Sequence, residues 1–520
     1  MTDATAIYQS LDTSKHDFRL VCVSADESGE ISILLDVFSL DSPPEYLALS
    51  YCWTEHPPTI QITLNGLPFW IRPNVHDFLQ RFSGERKTEW IYIDALCINQ
   101  SNVTERSSQV QIMGRIFRGA KKVIAWLGGR LPNDLRVTAH RKEIEEALSA
   151  LHRASFAGQD LLTFVSQPAS GGYRRESVAT YHRLFITFAS HAYWKRLWIV
   201  QELVFAQDFL LWCGRLHLTS CQLSALNSIL EGIFPHFEAF IPSIVLQRFC
   251  HIPLRGRNMD DLRRIMSISF IEHWRRDFQM DDSPRHNCDL LNAVNFTAAY
   301  DCLLPHDHIF SIVGLTSSTI VADYSMPILE LYLRALAEAL INLSQGPPTP
   351  EDSAIDFPIR LDLFWGNLLL NLSLSPFDPL VALTTQALGL ALRLALRLPA
   401  VDAMSPEAVA KTNEMEKELR QFCHDYPSSL KNPFTVQGFV HDISLGSRAF
   451  ARVKKHVKVR ILHRRLNRNK AKDANLTEAG EGGRTMPCSV WVELSEKIVL
   501  EVLEAKNQQV RGQIARRIHM

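Results

Sequence analysis

The stretch from residue 90 to residue 129 constrains this chain most. WIYIDALCI (90–98) is a short apolar run of the kind that forms a buried strand. A helix is predicted from about Glu105 to Ala120: Val110, Met113, Phe117 and Ala120 fall on one stripe, with Ile112 and Ile116 beside it. VIAWLGG follows at once as a second strand ending in glycines. Strand, helix and strand joined by short connections imply a parallel βαβ unit. A chain built this way needs helices over both faces of its sheet.

The flanking sequence extends the pattern. YLALSYCW (46–53) reads as another buried strand. In TIQITLNGLPFWI the alternation of Ile60, Ile62 and Leu64, the Asn65-Gly66 turn and the continuation through Phe69 and Ile71 predict a β-hairpin. Val75, Phe78, Leu79 and Phe82 share one face of a helix over 74–82. Residues 134–190 read as mostly helical with a polar break at 166–172, AYWKRLWIVQELVFA as one helix over about 192–206, and DFLLWCG as a strand. The expected fold is therefore α/β: a mostly parallel sheet flanked by helices with a hairpin insertion, in which 46–52, 90–97 and 122–127 are neighbouring strands.

A mainly α-helical region follows over 216–430. Helical periodicity recurs in 223–249, 260–278 and 326–343, and LVALTTQALGLAL (380–392) is a buried helix too short and too polar to span a membrane. Residues 344–358 form a proline-rich loop. The last region, 431–520, holds a strand pair at 434–445, a densely basic run at 452–472 and a linker-like stretch at 473–485.

Composition narrows the class. The formal net charge is −1, so no global field draws nucleic acid or anionic membrane. The basic run has no interleaved aromatics and reads as a solvated face, so no nucleic-acid partner is predicted. The first residues lack a basic start followed by an apolar stretch, and the ten cysteines form no CxxC pair. No metal is assigned, and the expected location is cytoplasmic. The P-loop, GxSxG and HExxH patterns are absent.

Three ordered blocks carry a resemblance: YLALSYCW, then WIYIDALCINQSNVTERSSQVQIMGRIFRGAKKVIAWLG, then YWKRLWIVQELVFA with LWCG. Together they resemble the HET domain of fungal heterokaryon-incompatibility proteins, with a core over about 46–214 inside a domain at 1–215. Two later blocks, LLPHDHIFSIVGL with VADYS (303–325) and FTVQGFVHDI (434–443), look like the downstream region of such proteins. Thr54 stands where the family has Gly after the motif Trp. The resemblance implies a programmed-cell-death effector in self/non-self recognition, with self-association or another incompatibility protein as its partner. The HET domain is in turn distantly similar to TIR domains, some of which cleave NAD with a helix-borne Glu. On that analogy Trp198 and Glu202 occupy the matching place, and NAD is the candidate substrate; no other cofactor is implied.

The residues themselves leave both a chemical and a structural reading open. Glu202 has the carboxylate that an oxocarbenium-like transition state needs, and it also suits a buried ion pair with Arg196 or Arg106. Asp94 belongs near the carboxyl edge of the sheet, where α/β folds bind ligands. Asn99 and Gln100 follow it, as ribose or adenine contacts or as loop caps. Ser50, Tyr51 and Trp53 form the turn after the first motif strand, with an aromatic able to stack on a base or to pack in the core. Arg106 suits a phosphate or a salt bridge. Cys97 has no histidine in its motif and reads as packing. The non-enzymatic alternative is a signalling module that recruits partners.

Overall fold

In a computed structural model, the described residues are 7–25, 31–53, 57–85, 89–129, 141–161, 174–189, 191–233, 259–280, 289–298, 300–345 and 356–374, with single positions at 164, 381, 385 and 388 and part of 494–508. Thr54, the break at 166–172, most of 344–358, the strand pair at 434–445, the basic run and the linker after it lie outside them. The chain divides into two compact units. One comprises residues 1–287, 299–303 and 322–325; the other comprises 288–298, 304–321 and 326–520.

The first unit is built on one nine-stranded sheet. Its strands are β1 (Asp17–Ala25), β2 (Ile31–Ser39), β3 (Tyr46–Tyr51), β4 (Ile60–Leu64), β5 (Leu67–Ile71), β6 (Trp90–Tyr92), β7 (Lys122–Gly128), β8 (Phe209–Cys213) and β9 (Leu216–Thr219). They lie in the order β5-β4-β2-β1-β6-β3-β7-β8-β9. The three motif strands are neighbours, with β3 parallel to both β6 and β7. The parallel core is β6-β3-β7-β8. The sheet as a whole is mixed and not mostly parallel, because β1 pairs antiparallel with β2 and β6, and the hairpins β4-β5 and β8-β9 close the two edges. The sequence reading omitted β1, β2 and β9, and these take part in three of the four antiparallel pairings, the fourth being the expected β4-β5 hairpin.

Local chemistry explains the elements. The β4-β5 turn takes Asn65 and Gly66 at positive φ, 49° and 79°, as a two-residue hairpin whose twist matches its strands requires. The Asn65 side chain then accepts from Leu35 N and donates to Leu35 O, at 2.8 and 3.0 Å, stitching the hairpin to β2. Helix α1 (Pro73–Glu85) lays Phe78 against Trp126 of β7 and Trp212 of β8, with ring centroids 5.8 and 5.9 Å away. Edge-on pairs of this kind are worth about 0.5–1.5 kcal/mol each beyond their burial.

Two sequence-based elements differ. The apolar run at 90–98 is a strand only to Tyr92, after which α2 (Asp94–Cys97) is a single helical turn. Asp94 starts that turn, its carboxylate accepting the Ala95 N–H at 2.7 Å. The segment 192–206 is not one helix: Ala192–Lys195 is a 3-10 turn, Arg196 bridges in β fashion to Asp301, and α6 (Trp198–Val204) begins afterwards.

Helix α3 (Val103–Gly119) is capped by Asn102, whose side chain accepts from Glu105 N at 3.1 Å. It packs on α6 at Gly114, where a Cβ would meet the Phe205 ring at 2.7 Å. Among the described residues the unit also holds helices α4 (Arg141–Phe156), α5 (Arg174–Ala189), α7 (Ser220–Ile233) and α8 (Met259–Met280).

The second unit is helical among the described residues: α9 (Leu290–Thr297), α10 (Asp307–Val313), α11 (Ile328–Gln345) and α12 (Asp356–Asn371). Val381, Thr385 and Leu388, from the expected buried helix, are helical and buried. The fully buried Glu338 of α11 is paired with Lys506 at 2.9 Å and accepts from Thr319 N, which ties residues near the C-terminus to this unit.

Candidate functional site

Strands β3 and β6 run parallel and end side by side, so their carboxyl ends place Ser50, Tyr51 and Asp94 at one edge of the sheet. Helix α6 packs on β3 and brings Glu202 to the same edge. The Glu202 side chain is 3% exposed. Its carboxylate accepts from the Ser50 hydroxyl and faces Arg196 Nη1 at 3.3 Å. Ser50 has one proton and gives it to Glu202, so the Tyr193 hydroxyl, 2.6 Å away, donates to Ser50.

Arg196 is the hub. Besides Glu202, it faces Asp94 Oδ2 from Nη2 at 3.6 Å and donates from Nη1 to the Tyr51 carbonyl. Asp94 also accepts from the Trp53 indole N–H at 3.1 Å and from the Tyr51 hydroxyl. Arg72 lies over the Trp53 ring, 4.8 Å from its centroid. The cluster is graded in depth: Glu202 forms the floor, while the side chains of Arg196 and Asp94 are each 14% exposed.

Two acids share one base, and this imbalance sets the electrostatics. Burial raises the Glu202 carboxyl, Arg196 pulls it down and Asp94 raises it again, leaving it at about 7. Burial likewise raises Asp94, against the pull of Arg196 and of the Tyr51 hydroxyl. Burial opposes the Arg196 charge, but Glu202 and Asp94 outweigh it and hold the guanidinium protonated above its ordinary value. Near neutral pH the cluster therefore carries a fixed cation and a carboxyl that readily takes or gives a proton.

The sequence-derived candidates divide into two groups. Ser50, Tyr51, Trp53, Asp94 and Glu202 come together. Arg106 does not pair with either acid; its guanidinium lies 4.1 Å from the centre of the Tyr324 ring, and Arg196 is the cation between them. Asn99 serves its loop, its side chain accepting from Ser101 N at 3.2 Å, and Gln100 donates to the Asp94 carbonyl at 3.1 Å. Trp198 opens α6 and is half-buried. Cys97 is fully buried and its thiol is pushed up to about 12 by burial, which suits packing. Tyr193 and Arg72 were missed, although Tyr193 opens the third block and could have been read from it. Among the described residues no cluster of three potential metal ligands occurs, and no helix is long and apolar enough to cross a membrane.

The family model described as heterokaryon incompatibility protein (HET) matches residues 46–202, from the first residue of β3 to the buried glutamate. Residues 46–202 therefore form a HET domain. The chain is similar to heterokaryon incompatibility protein 6, OR allele, of Neurospora crassa, with 25% identity over 219 residues that cover 37% of this chain and 32% of that relative. The match thus spans about a third of the relative's length. No solved structure matches the chain. The HET boundaries enclose every member of the Arg196 cluster.

Proposed function

We propose that the HET domain is the effector of a fungal incompatibility response leading to cell death, and that its chemistry is hydrolysis of the nicotinamide–ribose bond of NAD at the Asp94–Arg196–Glu202 cluster. One observation carries this reading: two carboxyls raised by burial flank a single buried arginine at the carboxyl edge of parallel strands, where α/β folds place ligands. In the proposed step the bond from C1′ to nicotinamide nitrogen breaks and its electron pair goes to the nitrogen, so nicotinamide leaves neutral. A carboxylate beside the ribose stabilises the resulting oxocarbenium-like centre. Water then attacks C1′ and passes its proton to a carboxylate, for which an acid near 7 is suited. Trp53, stacked under Arg72 beside Asp94, supplies an aromatic face for a base or nicotinamide ring. The parallel β6-β3-β7-β8 core is the part of the fold that supports comparison with TIR domains.

The depth of Glu202 favours a second reading. A carboxylate 3% exposed and bonded to Ser50 and Arg196 is also what an internal brace requires. The HET domain then acts without catalysis, by self-association or by recruiting another incompatibility protein. The deciding experiment incubates purified full-length protein with NAD, separates the products and repeats this with Glu202→Gln. Under the enzymatic reading nicotinamide is released by the wild type alone, and expression of the variant in a fungal host is harmless. A folded Glu202→Gln protein that still kills, with cellular NAD unchanged, leaves the recruitment reading in place.

A further inference from the structure

Helix α6 carries Glu202, and its two ends are held by residues that lie after the matched HET segment. At its start, Asp301 brackets Arg196: Asp301 N donates to the Lys195 carbonyl at 2.6 Å and Leu197 N donates to the Asp301 carbonyl at 2.9 Å. The strand-like bridge fixes the backbone on both sides of Arg196. At the other end stands Arg275 of α8, itself 6% exposed. Its Nη1 donates to the carbonyls of Leu203 and Ala206 at 2.5 and 2.7 Å, and its Nη2 to Gln207 at 3.4 Å. Carbonyls at the end of a helix have no partner within it, and a cation there also complements the helix dipole. A seven-residue helix has little stability of its own, so its place is set by such contacts.

We infer that Arg275 is a positioning residue for the Glu202–Arg196 centre, acting with the Asp301 backbone to hold α6 at both ends, so that the working HET unit includes helix α8 and the segment 299–303. This inference rests on the reading of that cluster as the chemical centre. Arg275 touches none of its members; it acts through the carbonyls of the helix that carries Glu202. A fragment ending at residue 215 lacks both holds.

The test uses the full-length chain labelled with carboxyl-13C glutamate. The Glu202 signal is assigned by its loss in Glu202→Gln, and its titration is compared in wild type, Arg275→Ala and Arg275→Lys. Loosening α6 admits water to a carboxyl whose pKa is raised mainly by burial, at about 7, so Arg275→Ala lowers the titration midpoint toward the ordinary value of 4.5. Arg275→Lys, which keeps a cation at the carbonyls, returns most of the shift. General loss of stability would leave the midpoint of the folded population where it was. An unchanged midpoint in folded Arg275→Ala overturns the inference. Should Arg275→Ala not fold, Arg275→Gln takes its place under the same criterion: a lowered midpoint counts for the inference and an unchanged one overturns it. Because no NAD is involved, the result stands apart from the outcome of the hydrolysis assay.

Discussion

The first unit buries two charged clusters at the same sheet, and they are balanced differently. Arg19 of β1 meets Glu105 of α3 one to one, at 2.6 and 3.1 Å, and its Nη1 and Nη2 also donate to the carbonyls of Cys97 and Gln9 respectively. Glu105 also accepts from Asn99 N at 2.7 Å, so the pair clasps the loop that follows Asp94. Arg196, by contrast, divides one positive charge between Asp94 and Glu202. The first arrangement is charge-neutral and joins three segments, as a structural clasp does. The second leaves an excess acid in a buried place and thereby a group that titrates near neutrality. Motif membership does not separate the two, since Glu105 and Asp94 come from the same block; the count of charges does.

Removing each arginine is the strongest way to break this contrast. Arg19→Met and Arg196→Met should each cost about 3–5 kcal/mol at pH 8, the usual result of stranding a buried charge. The Arg196 penalty should shrink on going to pH 6, because two carboxyls already raised by burial can take up protons, whereas the Arg19 penalty changes little. Denaturant unfolding at the two pH values measures both. Equal pH dependence would erase the distinction.

The next effect concerns Glu202 alone. Its folded pKa, about 7, is above its ordinary 4.5, so the folded protein holds the proton more tightly. The resulting stability is fully present below 4.5 and is lost as pH rises through 7, a swing of about 3 kcal/mol at 1.36 kcal/mol per unit. Glu202→Gln should flatten the stability curve between pH 5 and 8 and melt no lower than wild type at pH 8. A variant that loses stability equally at every pH would show Glu202 to be an ordinary brace.

Smaller effects sharpen the geometry. Gly114→Ala places a methyl 2.7 Å from the Phe205 ring and 3.0 Å from Gln201 Nε2, so α3 and α6 must separate. The cost should be about 1–3 kcal/mol despite the better helix propensity of Ala, and thermal melting reads it. Trp53→Phe keeps the ring but removes the N–H bonded to Asp94, which should cost about 1 kcal/mol in the same assay.

The parallel centre of the sheet could be read from sequence because β3 and β7 are apolar on both faces and flank an amphipathic helix. The antiparallel half was obscured. In β2, Ile31, Ile33 and Leu35 point inward, but Leu34, 55% exposed, breaks the polar alternation that would have announced a strand. The apolar run at 90–98 hid a change from strand to helical turn at Asp94, since periodicity cannot resolve elements this short. At the site, both acids were named from their motif. Their shared cation was harder to choose because Arg106 and Arg196 fit the charge argument equally; only the β-bridge at Asp301 decides which one faces them. Arg275 and Asp301 lie some 70–100 residues beyond Glu202, and no local pattern links them to it.

The chain's return to the first unit at 299–303 and 322–325 has a consequence during synthesis. Ala322 N and Tyr324 N donate to Gln111 and Ser107 of α3, so the final strap on this unit comes from residues translated long after Glu202. At about 5–20 residues per second, the roughly 120 residues between them take on the order of ten seconds to emerge. A ribosome-bound chain thus carries its buried acids before it carries the pieces that fasten them, and a truncated transcript would yield the motifs without the finished unit.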